Sequence, residues 1–221
     1  MAPSKRKVTR RQALTETAKA AGVACLGGFS LAAFIKSADP VDARALRPPG
    51  ALSEAAFQVA CVHCGLCVEA CPYGTLSLAE WGEGAPLGTP FFTARETPCY
   101  MCKDIPCAKA CPTGALDRDL PSIRDANMGV AVLVGHETCL NYKGLNCSIC
   151  VRVCPIRGEA ISLEDQEING RKLKIPVVHS DKCTGCGTCE KQCVLGHAAI
   201  RVLPRDLGLG GKGRNRAGRN F

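Results

Sequence analysis

The sequence predicts an α+β chain made of four copies of one small unit, joined in two pairs by long connecting loops. Three observations carry that prediction. Cysteine occurs 17 times in 221 residues, far above ordinary usage. All but one of those cysteines fall into four quartets at near-equal intervals. The residues after each quartet repeat as well: Pro72-Tyr73-Gly74-Thr75-Leu76 matches Pro112-Thr113-Gly114-Ala115-Leu116, and Gly158-Glu159-Ala160-Ile161 and Gly196-His197-Ala198-Ala199-Ile200 are looser copies. Self-similarity of this kind marks an internal repeat.

The quartets are Cys61, Cys64, Cys67 and Cys71; Cys99, Cys102, Cys107 and Cys111; Cys139, Cys147, Cys150 and Cys154; and Cys183, Cys186, Cys189 and Cys193. The first three are followed by Pro72, Pro112 and Pro155, the last by Val194. Cys-x2-Cys-x2-Cys wraps a loop around one iron–sulfur cubane, and the cysteine three residues further on ligates the other cluster of a pair. Each unit therefore reads as strand, cysteine loop, short helix and strand, with the fourth cysteine on the helix and the proline at its start. Val130 to Val134 and Ile175 to Val178 supply the strands ahead of the third and fourth quartets. Gly65, Gly185 and Gly187 allow the backbone to approach the sulfurs and aim N–H groups at them. Four units make two ferredoxin-like two-cluster domains, and sixteen ligands hold four [4Fe–4S] clusters.

Two other uses of cysteine fit worse. A disulfide framework does not require repeated triplets closed by a proline, and structural zinc uses two Cys-x2-Cys pairs per ion. The histidines, His63, His136, His179 and His197, stand outside the ligand slots and are expected to be neighbours of the site or solvent residues. No paired carboxylates, nucleophile elbow, P-loop or dinucleotide fingerprint occurs, so catalysis is not expected. Aromatics make up 5% of the chain, so metal rather than aromatic burial is expected to hold the fold together.

In chain order, residues 1–45 read as a twin-arginine signal segment. Thr9-Arg10-Arg11-Gln12-Ala13-Leu14 carries the arginine pair, Arg10 and Arg11. An Ala/Gly-rich apolar stretch follows, then small residues suited to cleavage. That stretch is shorter and less apolar than a spanning helix needs. Such a signal implies export after folding, which suits a chain that receives its clusters in the cytoplasm. Cys25 lies in this stretch and is read as a bystander. Residues 46–60 are a Pro-rich lead with a short helix from Ser53, its N-cap. The four-repeat polyferredoxin region spans 61–203. The loop from Trp81 to Phe92 within it is long, apolar-tipped and a candidate partner surface. Residues 204–221 are a basic Gly-rich tail, read as disordered over Gly208 to Phe221. The formal charge of +8 comes partly from the two termini and lacks the aromatic interleaving of a nucleic-acid surface, so no nucleic-acid partner is expected.

Further phrases carry a resemblance. Leu46-Arg47-Pro48-Pro49-Gly50-Ala51-Leu52, Gly88-Thr89-Pro90-Phe91-Phe92 and Pro98-Cys99-Tyr100-Met101-Cys102-Lys103-Asp104-Ile105-Pro106-Cys107 are joined by Lys109 to Asp117, Met128 to Val134 and Cys183-Thr184-Gly185-Cys186-Gly187. With them, the chain from Thr9 to about Pro204 resembles the NapG/MauM family of periplasmic ferredoxin-type proteins, on its NapG side. The resemblance implies an electron carrier within a quinol dehydrogenase system. Its donor would be a membrane quinol-oxidising protein of the NapH type, and its acceptor periplasmic nitrate reductase or a cytochrome. The twin-arginine translocase would act during export. The implied location is periplasmic, with membrane association through the partner or an uncleaved signal left open. Alternatives are a subunit of another molybdenum-type oxidoreductase and a MauM-like role in methylamine oxidation or maturation.

The gaps inside the second and third quartets also resemble the iron–sulfur subunits of formate dehydrogenase-type enzymes. That likeness implies pairing of the first repeat with the fourth and of the second with the third. Neighbour pairing, first with second and third with fourth, is the alternative.

Overall fold

The computed structural model describes residues 45–209 except 169. Arg10, Arg11, Cys25 and the end of the basic tail lie outside the described residues. Helix α1 (Glu54–Ala60) starts after the N-cap Ser53, and its one buried residue, Phe57, is fully enclosed. Among the described residues the remaining α-helices are single turns: α2 (Leu66–Glu69), α3 (Pro106–Lys109), α4 (Ile149–Arg152), α5 (Thr188–Lys191) and α6 (Arg205–Gly208). The strands of the described residues form three two-stranded antiparallel ribbons. Strand β1 (Ser77–Leu78) pairs with β2 (Pro90–Phe91), β3 (Val130–Leu133) with β6 (Ile200–Leu203), and β4 (Ile161–Ile168) with β5 (Arg171–Val178).

The same topology occurs twice. In the second half, the strand before the third quartet pairs with the strand after the fourth, Val130 opposite Leu203. The strand after the third pairs with the one before the fourth, Ile161 opposite Val178. In the first half the outer pairing shrinks to a bridge between Ala51 and Leu116, and the inner pairing is β1 with β2. The strands expected at Val130 and Ile175 are both present.

One expectation is corrected. The single-turn helices α2 to α5 carry the third cysteine of each quartet: Cys67, Cys107, Cys150 and Cys189. The fourth cysteine lies one residue beyond the C-cap, as Cys71 follows Ala70. The proline therefore follows a helix end, where its missing N–H prevents another helical turn. Ahead of the stretch expected to be disordered, Arg205–Gly208 forms α6, which packs on β3 and β6. The Arg205 guanidinium donates to the carbonyls of Cys183 and Ser180 at 3.1 and 2.6 Å.

One apolar core joins both halves, from Leu46, Phe57 and Phe92 to Ile161, Ile200 and Val202. The cysteines form a large part of it, in keeping with the small aromatic content. The loop between β1 and β2 is anchored by Ala79, Ala85 and Phe91 in a small cluster with Ala45. Its solvent-facing apolar side chains are Trp81, 90% exposed, and Leu87; Phe91 and Phe92 turn inward. Among the described residues no helix is long and apolar enough to cross a membrane.

Candidate metal centres

All sixteen quartet cysteines have free thiols. They gather around four cavities, each lined by four cysteines. The first holds Cys61, Cys64, Cys67 and Cys111. The second holds Cys99, Cys102, Cys107 and Cys71. The third holds Cys139, Cys147, Cys150 and Cys193. The fourth holds Cys183, Cys186, Cys189 and Cys154. Each quartet thus contributes three thiols to its own group and sends its fourth to a partner. The exchange runs between neighbours, first with second and third with fourth, which replaces the pairing implied by the formate dehydrogenase likeness. Helix packing agrees: α2 lies against α3, and α4 against α5.

The loop backbone explains how three thiols converge. In three quartets the residue just before the second cysteine is left-handed, at His63 (φ 56), Met101 (φ 54) and Gly185 (φ 76). So is the helix N-cap, at Gly65, Ile105 and Gly187. Two left-handed residues curl the loop inward, at a cost of about 1 kcal/mol or more for each non-glycine. The third quartet spans its long gap differently. The buried Asn141 side chain accepts the Cys147 N–H at 2.9 Å and donates to the Lys174 carbonyl, tying the loop to β5.

The chemistry of these groups suits a multi-iron cluster. Among the described residues no group of three or more His, Cys, Asp or Glu side chains is placed to hold a single metal ion. Burial first, then facing thiols, pushes Cys67 and Cys150 up to about 11. Burial drives Cys99 and Cys107 up to about 12. As bare thiols these groups hold their protons at neutral pH, and a bound metal releases them. Cys71 and Cys111 differ. Burial raises them too, but N–H groups overcome it, from Thr75, Tyr73 and Leu76 in one case and from Leu116, Thr113 and Gly114 in the other. The Thr75 N–H lies 3.3 Å from the Cys71 sulfur and the Leu116 N–H 3.4 Å from that of Cys111. The repeated Pro-x-Gly phrase is thus a turn that presents donors to the exchanged sulfur. Ala131 supplies the like donor to Cys183 at 3.4 Å. N–H groups aimed at sulfur tune a cluster's potential.

None of the four histidines replaces a thiol. His63 lines the first cavity as a loop residue. His136 packs on Tyr142, and the His179 Nε2 bonds the Ser162 hydroxyl at 2.8 Å. Sequence reasoning missed three residues that hold the site. Asn141 is one. Arg95 is another: its guanidinium donates to the carbonyls of Glu190, Cys193 and Leu195 at 2.6, 3.0 and 2.7 Å, clamping the end of α5 and the fourth quartet's last cysteine. The third is Glu190, buried beside Cys189 and accepting the Val202 N–H at 2.6 Å. Burial raises its carboxyl above the ordinary value. A charged residue in a repeat gives no sign in sequence of which backbone it will bond.

The 4Fe-4S dicluster domain family matches residues 60–115 and 145–196, one match for each exchanging pair. Among curated proteins, the chain is 82% identical to the methylamine utilization ferredoxin-type protein MauM of Paracoccus denitrificans (strain Pd 1222), over 97% of this chain and 96% of that one. It is 74% identical to MauM of Methylorubrum extorquens, over 96% of each chain. It is 53% identical to the ferredoxin-type protein NapG of Escherichia coli (strain K12), over 93% of this chain and 90% of that one. No solved structure matches the chain significantly.

Proposed function

This chain belongs to the NapG/MauM family of ferredoxin-type iron–sulfur electron-transfer proteins, and on that premise we propose that it carries four [4Fe–4S] clusters and relays electrons in methylamine utilisation. The observation that carries the count is the division of sixteen thiols into four cavities of four. The observation that favours methylamine is the identity gradient, 82% to a MauM against 53% to a NapG.

A [4Fe–4S] cluster, once bound, takes up and gives back one electron at a time. The chain's own residues do the rest. Cys61, Cys64, Cys67 and Cys111 are the ligand set of the first cluster, and Cys99, Cys102, Cys107 and Cys71 that of the second. Cys139, Cys147, Cys150 and Cys193 form the third set, and Cys183, Cys186, Cys189 and Cys154 the fourth. The apolar walls restrict water, and the N–H groups of Thr75, Leu116 and Ala131 offset negative charge on sulfur. The protein is a carrier within a larger redox system and not itself a catalyst.

The nitrate reading has its own support in the NapG relatives. There the chain takes electrons from a membrane quinol-oxidising partner of the NapH type and passes them toward periplasmic nitrate reductase or a cytochrome. Both readings place the protein in the periplasm after export by the twin-arginine translocase. Deleting the gene separates them. The methylamine reading expects loss of growth on methylamine with nitrate respiration intact; the opposite pattern transfers the protein to the nitrate system.

A further inference from the structure

We propose that the four thiol groups form one unbranched series in the order first, second, fourth, third, with its central junction made by the backbone bond between Cys99 and Cys186 and by the Met101 side chain. This rests on the four-cluster reading and adds the order of the clusters to it.

The outer steps follow from the exchanged cysteines. Cys111 and Cys71 tie the first group to the second. Cys154 and Cys193 tie the fourth to the third. The halves then meet through the second and fourth groups. The Cys99 N–H donates to the Cys186 carbonyl at 2.8 Å, joining one ligand loop directly to the other. Met101, between Cys99 and Cys102, lines the cavity of the fourth group, and its sulfur accepts the Thr184 hydroxyl at 3.7 Å. Its φ of 54° is a left-handed conformation that glycine adopts freely and methionine does not. A residue held there against its preference is a mark of function: the side chain reaches the neighbouring group, which glycine could not. The contact is close-packed. A Cβ built on Gly187 would lie 2.6 Å from the Ala94 Cβ, so only glycine lets the fourth loop approach the segment leading to the second quartet. Arg95 locks the same contact through its carbonyl clamp.

The series has two ends. At the first group Cys64 is the one exposed thiol of the sixteen, with Val62 and Leu66 exposed beside it. At the third group Leu145 and Val194 are exposed.

Electron paramagnetic resonance of fully reduced holoprotein tests the order. Neighbouring reduced clusters couple magnetically, and a cluster without a neighbour gives a simple one-spin signal. Four variants each remove one cluster: Cys64→Ala, Cys102→Ala, Cys147→Ala and Cys186→Ala. The expected result is an uncoupled signal from Cys102→Ala, which strands the first cluster, and from Cys186→Ala, which strands the third. Cys64→Ala and Cys147→Ala should leave every remaining cluster coupled. An isolated signal in any other pair of variants overturns the order; from Cys64→Ala and Cys147→Ala it would mean that the halves meet through the first and third groups. If a variant loses all its iron, the iron positions in crystals of wild-type holoprotein decide the question. The shortest distance between halves must then be second to fourth, and any other overturns the proposal. Wild-type iron far below about sixteen atoms per chain would instead remove the four-cluster reading.

Discussion

Cys111 shares a cavity with Cys67, and Cys71 lines the cavity of Cys107 in return. The exchange ties the two ligand loops of the first half together, so neither cluster site is complete without the other loop. It also fixes which lesions coincide. Replacing Cys71 and Cys102 by Ala strikes one cluster twice, and such a double variant should lose about four irons. Replacing Cys71 and Cys64 strikes two clusters and should lose about eight. Iron analysis of anaerobically purified variants checks this. Equal losses from both doubles would contradict the exchange.

The Pro-rich lead is held by Arg47. Its guanidinium pairs with both Glu54 oxygens, at 2.9 and 2.5 Å, bonds the Thr89 hydroxyl and the Pro90 carbonyl, and covers the Phe57 ring. Burial raises the Glu54 carboxyl, but hydrogen bonds from Arg47 and Gln58 outweigh it and leave the group below its ordinary 4.5. A depressed folded value means stability present above pH 4.5 and lost as pH falls through that lower value. Glu54→Ala leaves the Arg47 charge under-paired, with an expected cost of about 2 kcal/mol at pH 7. Denaturant unfolding of holoprotein at pH 7 and pH 4 measures both effects, and the gap between wild type and Glu54→Ala should narrow at the lower pH.

Arg95 should matter more than its half-exposed position suggests. Arg95→Gln removes a charged donor shared by several carbonyls, for an expected loss of about 2 kcal/mol. Because Cys193 is among those carbonyl residues, the third group should also change its redox potential. Arg95→Lys, which lacks the planar fork, should restore stability only in part. A redox titration showing all potentials unchanged in Arg95→Gln would refute the link.

The twin-arginine reading of residues 1–45 proposes that export depends on Arg10 and Arg11. Replacing Arg10 and Arg11 by Lys should hold the protein in the cytoplasm, with clusters assembled, and Cys25→Ser should leave iron content unchanged. Cell fractionation with iron analysis reads both; normal periplasmic accumulation of the Lys variant would count against the signal.

The quartets and the repeat were legible because ligand spacing is local: three thiols on one short loop can only face one volume. The strands at Val130 and Ile175 were legible from β-branched runs. The pairing was not. A gap such as Cys139 to Cys147 sets the shape of its own loop and says nothing about which loop receives Cys154. That choice is made by tertiary contacts, the pairing of β3 with β6 and the packing of α4 on α5. The tail helix Arg205–Gly208 escaped for a similar reason. Its four residues, Arg-Asp-Leu-Gly, are too few to hold a helix alone, and its order comes from β3 and from Arg205 reaching Cys183 and Ser180. Arg95 and Asn141 act on carbonyls far away in sequence, which no pattern of side chains records.

The most direct test of the whole account is iron and acid-labile sulfide analysis of protein purified without oxygen, with paramagnetic resonance of the reduced form. Four groups of four thiols predict brown protein with about sixteen irons and sixteen sulfides per chain and several magnetically interacting spins. Colourless protein carrying zinc, or with its sixteen cysteines in disulfides, would contradict it.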